Sequence, residues 1–139
     1  MVRIGIIGAA GLSGLELLHL LSRHSEVTVK LVTSNKYQGK NVSEVFPELY
    51  QYSLTFNSNE TDVLGCDVVF LAVPNQASLE IVPKLLDQGI RVIDLSGAYR
   101  LADTEVFTKF YKLTHTYPEL LKEAVFGLPE FFSQQISAA

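Results

Sequence analysis

The sequence predicts an α/β fold built on a doubly wound parallel sheet, and three observations support this. Short apolar runs rich in β-branched residues recur at Val2–Ile7, Val27–Val32, Asp67–Val73 and Ile90–Leu95. They are too short for helices and too continuous for half-exposed strands, so they read as buried strands. Segments with helical spacing, Leu12–Arg23 and Gln76–Gln88, separate the first pair and the last pair. They supply the crossover a parallel neighbour needs. Thirdly, a glycine cluster at Gly8–Gly14 occupies the first strand-to-helix junction.

The elements follow in order. Val2–Ile7 carries Gly5 inside it and is bounded by Gly8. Leu12–Arg23 places apolar residues at 15, 18 and 21 and at 17, 20 and 21, with Glu16, His19 and Arg23 between them, as a helix with one buried stripe does. Val27–Val32 is broken by Thr33-Ser34-Asn35. Residues 36–50 have no clean period and read as an irregular excursion, and Tyr52–Phe56 reads as a further short strand. Asp67–Val73 stops at Pro74. Gln76–Gln88 has Leu79, Val82, Leu85 and Leu86 at helical spacing, with Pro83 at a kink or a first turn and Gly89 as the C-terminal stop. Ile90–Leu95 is closed by Ser96-Gly97. Beyond Arg100, Thr104–Lys112 and Pro118–Glu123 read as short helices, with Pro118 suited to a first turn. Val125–Glu130 runs into Phe131-Phe132 and a polar tail without a closing element, so residues 1–139 read as one domain cut before a further one.

Composition bounds the function. The 139 residues are 47% apolar and 19% charged with only 5 Pro, enough for a packed core and incompatible with disorder. No apolar run reaches the ~18 residues of a membrane span, and Ile4–Gly8 is too short for the core of a signal peptide. A net charge of −4 with no basic block argues against nucleic acid and against a membrane surface. Residues 1–50 carry 5 Lys/Arg against 4 Asp/Glu, while residues 51–139 carry 6 against 11, so the basic lean lies in the first half. A single cysteine, Cys66, makes neither an internal disulfide nor a zinc site and fits a cytoplasmic protein.

The most specific pattern is Gly8-Ala9-Ala10-Gly11-Leu12-Ser13-Gly14, which leaves a strand and opens a helix. A phosphate needs bare main-chain N–H groups at a helix N-terminus, where the helix dipole adds favourable potential. Gly8 permits a sharp turn, Gly11 removes a Cβ that would hold a diphosphate away, and Gly14 lets the helix approach. The spacing is G-x-x-G-x-x-G, one residue off the usual dinucleotide pattern, and a tight turn without a ligand is the alternative. About 20 residues past the turn an NAD site places an acid against the ribose 2′-hydroxyl. That position is Ser34, and Val27 through Ser43 contains no Asp or Glu. Thr33, Ser34, Asn35 and Lys36 would hold a 2′-phosphate, so NADP(H) is expected over NAD(H), against the plain alternative of a polar surface turn.

In open parallel sheets ligands lie outside the carboxyl ends of the strands. Ala72, Pro74 and Ser96 are therefore expected around the nicotinamide half, and Arg100 could clamp a substrate carboxylate or phosphate. No catalytic residue is expected. Cys66 lies at the amino end of its strand, about 7 residues at ~3.3 Å each, or roughly 20 Å, from the cofactor edge. His19 and His24 lie on or after the first helix, His115 is unplaced by the pattern, and no Ser-His-Asp or Cys-His set is visible. No metal site is expected.

These residues resemble the N-terminal part of the N-acetyl-γ-glutamyl-phosphate reductase family, within the aspartate-semialdehyde dehydrogenase superfamily. The likeness runs through the glycine turn, Thr33-Ser34, Gly39-Lys40, Val42–Pro47, Leu71–Pro74, Asp94–Ser96, Tyr99–Leu101, Pro118–Leu121 and Phe126–Glu130. Val42–Pro47 and Gly127–Glu130 are its most specific strings. The resemblance implies a Rossmann-like domain and NADPH-dependent reductive dephosphorylation of N-acetyl-γ-glutamyl phosphate to the semialdehyde. In that family a cysteine in a Pro-Gly-Cys context, shortly after the Gly-Leu-Pro-Glu string, attacks the acyl phosphate. Hydride reduces the resulting thioester and a distant histidine is the acid/base. This chain stops before that cysteine, so it is expected to bind cofactor without turnover, and to be a homo-oligomer when full length. An apolar sheet face left uncovered would favour association of the chain itself. Two positions depart from the family: Asn35 replaces arginine and Asn75 replaces histidine. The alternatives are a non-enzymatic NADP-binding module and an aspartate-semialdehyde dehydrogenase N-terminal domain.

Overall fold

The computed structural model describes all 139 residues. Four strands, β1 (Val2–Ile7), β2 (Val27–Val32), β3 (Val68–Leu71) and β4 (Arg91–Asp94), form one sheet in the order β2-β1-β3-β4, and every pair is parallel. The helices are α1 (Leu12–Leu21), α2 (Val42–Val45), α3 (Asn75–Asp87), α4 (Thr104–Tyr111) and α5 (Pro129–Ala138). The expected doubly wound arrangement is present: β1 and β2 match their apolar runs, β3 and β4 are shorter than theirs, and β4, expected as a buried strand, has no buried residue because it lies at the sheet edge.

Alternation along β1 divides the core. Ile4 and Ile6 join Leu18 of α1, Val29 and Val32 on one side of the sheet. Ile7 joins Val69, Leu71 and the α3 residues Val82 and Leu85 on the other. Each fully buried aliphatic side chain contributes about 1.5–3 kcal/mol. Val29 and Val32 share a face although they are an odd three positions apart, because the register slips between Ile4 and Gly5 and leaves exposed Lys30 without a partner. α1 covers the β2–β1 side only, so Ile93 and Leu95 on the β4 side stay partly exposed beside Leu20.

α3 stops where its chemistry dictates. Gly89 takes φ +72, its N–H donates to Leu86 O at 2.9 Å, and that of Ile90 donates to Leu85 O at 3.0 Å. This is a Schellman stop, with Ile90 and Leu85 in one apolar cluster. Pro83 lies inside the helix rather than at its start, so the Leu79 carbonyl loses its usual i+4 donor. The Tyr99 hydroxyl donates to that carbonyl at 3.4 Å.

Three further expectations need correction. Tyr52–Phe56 is not a strand: only Thr55 forms a bridge, to Asn41, while Phe56 buries its ring against Tyr37 and Phe46. The main chain there pairs with residues 39–42, Val42 N–H donating to Leu54 O at 2.8 Å and Phe56 N–H to Lys40 O at 2.9 Å, but the pairing amounts to single bridges and no ladder. Tyr52 Oη donates to Leu18 O at 2.9 Å. The excursion at 36–50 is not wholly irregular, since Asn41 caps α2 through a capping box with Glu44 and Pro47–Leu49 makes a 3₁₀ turn. The tail does have a terminal element: α5 begins at Pro129 and bends at Phe132, yet buries no residue.

Candidate functional site

Because all four strands are parallel, the residues after each one meet along one edge. The Ala9 N–H donates to Thr33 O at 2.9 Å, that of Ala72 to Ile7 O at 2.8 Å and that of Leu95 to Leu71 O at 3.0 Å. The chain moves one way from β1 to β2 and the other way to β3 and β4. That reversal makes the end of β1 a topological switch point, which is where ligands of open α/β sheets bind.

The three glycines divide by cause. Gly8 takes φ +83, and a Cβ on it would run into the Ala72 carbonyl. A Cβ on Gly14 would lie 2.6 Å from Ala9 Cα and Gly8 O, so α1 sits directly on the turn. Gly11 has neither constraint: its φ is −77, and the nearest atom to an added Cβ is Gly8 O at 3.5 Å. Its missing side chain leaves open space above the start of α1. No side chain caps that helix, and the N–H groups of Leu12, Ser13 and Gly14 have neither main-chain nor side-chain acceptors. Leu12 and Ser13 are exposed, Leu12 to 92%, while Gly14 is buried against the turn. Free donors at a helix N-terminus fit a diphosphate.

Beside the turn, the tip of β2 separates its four expected residues. Thr33 is fully buried and its Oγ1 accepts the Gly8 N–H at 3.1 Å. Ser34 is buried too, its N–H on Asn57 O at 2.9 Å and its carbonyl accepting Tyr37 N–H at 3.3 Å. Both hold the loop. Asn35 and Lys36 are exposed at its outer surface. Asn35 Oδ1 accepts the Asn59 N–H at 2.8 Å, and Lys36 Nζ rests 4.9 Å from the Tyr37 ring centroid. Residues 27–43 include no carboxylate, and Lys36 and Lys40 are both exposed.

On the β3–β4 side, Asp94 organises the edge. Its carboxylate accepts Ser78 Oγ–H at 2.6 Å, the Ser96 N–H at 2.9 Å and Ser96 Oγ–H at 2.9 Å. Asn75, the first residue of α3, accepts the Gly97 N–H at 2.7 Å and so ties the loop after β3 to the loop after β4. Arg100 is exposed and donates to Ser96 O at 3.2 Å, which keeps its guanidinium at the same edge. Asn59 and Ser78 are the polar residues that local pattern missed, acting on partners 26 and 16 positions away, while Asn75, already marked as a departure from the family, acts on one 22 positions away.

The rejected residues lie elsewhere. Cys66 is buried at the amino edge, against Gly5 and next to the exposed Arg3–Asp67 pair at 2.6 Å, and burial pushes its thiol up. Arg3 holds the Asp67 carboxyl well below the usual carboxylate range. His24 is exposed, and half-exposed His19 lies 3.9 Å from Glu48. His115 is buried with both nitrogens engaged. Nδ1 accepts the Tyr117 N–H at 3.2 Å, so the proton is on Nε2, 3.1 Å from Ala98 O. The ring meets Tyr99 and Phe107 edge-on. Burial lowers its pKa below 6.5. Unfolding then lets it take up a proton that the native chain refuses, so its contribution is complete above pH 6.5 and falls as pH drops toward the depressed native value. The unfolding free energy is expected to decline between pH 7.5 and 5.5, by no more than about 1.4 kcal/mol per pH unit from this group, the thermal midpoint falling with it, and His115→Gln should flatten that decline. A profile in which the variant and the parent decline equally would assign it to other groups. No cluster of His, Cys, Asp and Glu could hold a metal ion, and no helix is long and apolar enough to cross a membrane.

Comparison with known proteins bears on this edge directly. The family model described as "Semialdehyde dehydrogenase, NAD binding domain" matches residues 3–139. The chain is 50% identical over 140 residues to the N-acetyl-gamma-glutamyl-phosphate reductase of Leptospira borgpetersenii, covering all of this chain and 41% of that protein. It is 44% identical over 141 residues to that of Nitrosospira multiformis, with the same coverage. Among solved structures it is similar to aspartate semialdehyde dehydrogenase with NADP from Candida albicans, at TM-score 0.62 and 25% identity, over 72% of this chain and 31% of that one. The chain thus spans about two fifths of the length of these curated relatives. With the glycine turn, the strand order and a match over nearly every residue in agreement, the chain belongs to the family of semialdehyde dehydrogenase NAD-binding domains.

Proposed function

We propose that this chain is the cofactor-binding part of an N-acetyl-γ-glutamyl-phosphate reductase and that it selects NADP(H). The observation that carries the reading is the row of Leu12, Ser13 and Gly14 amides without acceptors, beside a strand tip whose residues 27–43 include no carboxylate and which offers Asn35 and Lys36 outward. The amides would take the diphosphate, and the Asn35 amide with the Lys36 ammonium would take the 2′-phosphate. Ala72, Pro74 and Ser96 line the edge on the nicotinamide side, and Arg100 faces the anionic substrate.

In the complete enzyme one acyl phosphate, one NADPH and one proton give a semialdehyde, NADP⁺ and inorganic phosphate. The cofactor supplies hydride. This chain's residues bind and orient, because its one thiol is buried at the far edge of the sheet. We place the complete protein in the cytoplasm as a homo-oligomer.

Fluorescence titration of the chain with NADPH and NADH, followed by addition of N-acetyl-γ-glutamyl phosphate, tests this. Tighter NADPH than NADH binding and no loss of reduced cofactor above background are expected. Equal or tighter NADH binding removes the 2′-phosphate assignment, and turnover by the chain alone removes the division of labour.

A further inference from the structure

We propose that Asn59, which no sequence motif singles out, is a positioning residue for the glycine turn. The proposal rests on the cofactor reading above only for its consequence, since the hydrogen bonds themselves are structural. Thr33 is completely buried and uses every polar group it has. Its N–H donates to Ile6 O at 3.0 Å, its carbonyl accepts Ala9 N–H at 2.9 Å, and its Oγ1 accepts Gly8 N–H at 3.1 Å. The remaining group is the hydroxyl proton, and it goes to Asn59 Oδ1 at 2.6 Å.

A hydroxyl has one proton and two lone pairs, so the direction of its proton decides what it can accept. With the proton fixed on Asn59, a lone pair faces Gly8 and the turn is held by two successive amides. If the Asn59 amide were reversed, its NH₂ would point at Oγ1 and the hydroxyl proton would have no partner in a buried site. The observed orientation is therefore the one that satisfies Thr33.

Asn59 serves the tip by a second route. Its main-chain N–H donates to Asn35 Oδ1 at 2.8 Å, which commits the oxygen end of that amide and leaves its NH₂ as the free end. One residue thus orders the donors for the diphosphate through its side chain and the donor for the 2′-phosphate through its main chain. Removing the side chain should disturb only the first function, which NADH and NADPH share.

Thr33→Val, Asn59→Ala and the double variant of the chain, titrated with NADH and with NADPH, form the test. Loss of one hydrogen bond of this kind is expected to weaken both nucleotides by the same factor, about three- to tenfold. The double variant should be no weaker than Thr33→Val alone, because both changes break one chain of bonds. Without any nucleotide, hydrogen exchange at the Gly8 amide should be faster in Asn59→Ala than in the parent. Losses that multiply in the double variant, or unchanged Gly8 exchange in Asn59→Ala, overturn the proposal. A chain that binds neither nucleotide but exchanges Gly8 faster in Asn59→Ala would end the cofactor reading and leave the positioning role standing. Should Asn59→Ala not fold, Asn59→Asp keeps the acceptor, and it must match the parent in Gly8 exchange and NADH affinity.

Discussion

Gly11→Ala is expected to leave the thermal midpoint of the chain nearly unchanged while abolishing most of its NADPH binding, and Gly8→Ala and Gly14→Ala are expected to fail in folding first. The distinction follows from what each missing side chain would touch. At Gly8 an added methyl would be carried at φ +83 into the Ala72 carbonyl. A left-handed conformation costs a residue with a Cβ about 1–2 kcal/mol, and overpacking against a backbone that cannot give way adds about 1–3 kcal/mol. At Gly14 the methyl would stand 2.6 Å from both Ala9 Cα and Gly8 O, again backbone atoms, so a similar overpacking penalty applies. Gly11 has an ordinary φ and no atom within 3.5 Å of the added carbon, so its effect on stability should stay within about 0.5 kcal/mol. The same methyl would stand at the mouth of the free Leu12–Gly14 amides and hold a diphosphate away from them. Displacing charge-assisted hydrogen bonds of about 1.5–3 kcal/mol corresponds to roughly a 10- to 150-fold loss of affinity. Thermal unfolding and NADPH titration of the three variants separate the effects. A Gly11→Ala chain that binds NADPH as the parent does would show that the diphosphate sits elsewhere.

What the sequence made legible was whatever depends on neighbours within a few positions. The apolar runs marked all four strands because strands of a parallel sheet are largely apolar, although β4, at the sheet edge, buries none of its residues. The glycine turn was visible because φ and close approach are demands on single residues. The Asn41/Glu44 capping box was equally local, and a three-residue search would have found α2 inside the stretch read as irregular. Tyr52–Phe56 failed for the opposite reason. Its alternation matches a strand, but Phe56 found aromatic partners at Tyr37 and Phe46, which no window of residues reveals. The site divides along the same line. The positions at the carboxyl edge were legible from topology, whereas the parts played by Asn59, Asn75 and Ser78 depend on pairings across the sheet. Asn75 is an example: the sequence shows only that it departs from the family's histidine, whereas in the fold its oxygen holds the Gly97 N–H and joins the two loops.

Asn35→Asp is expected to invert the nucleotide preference without disturbing the fold. An aspartate has the size and shape of asparagine, and one of its oxygens can keep the Asn59 N–H bond now made by Oδ1. The other oxygen would replace the NH₂ end that faces solvent at the strand tip. For NADPH this exchanges a donor for a negative charge beside a phosphate. Two unit charges 4 Å apart repel by about 1 kcal/mol in bulk water and about 4 kcal/mol near a protein surface, and a partly screened value of about 2–3 kcal/mol raises the NADPH dissociation constant roughly 30- to 150-fold. For NADH the same oxygen can accept the ribose 2′-hydroxyl, and a few-fold gain is expected. Lys36 keeps its ammonium over the Tyr37 ring in either case, so the change in preference comes from residue 35 alone. The repulsion acts at an exposed site, so raising ionic strength from about 0.01 M to about 1 M, where screening shortens from about 30 Å to about 3 Å, should narrow the difference between parent and variant for NADPH and leave NADH almost unaffected. If both nucleotides weaken equally, or the NADPH penalty does not respond to salt, the 2′-phosphate does not lie against Asn35.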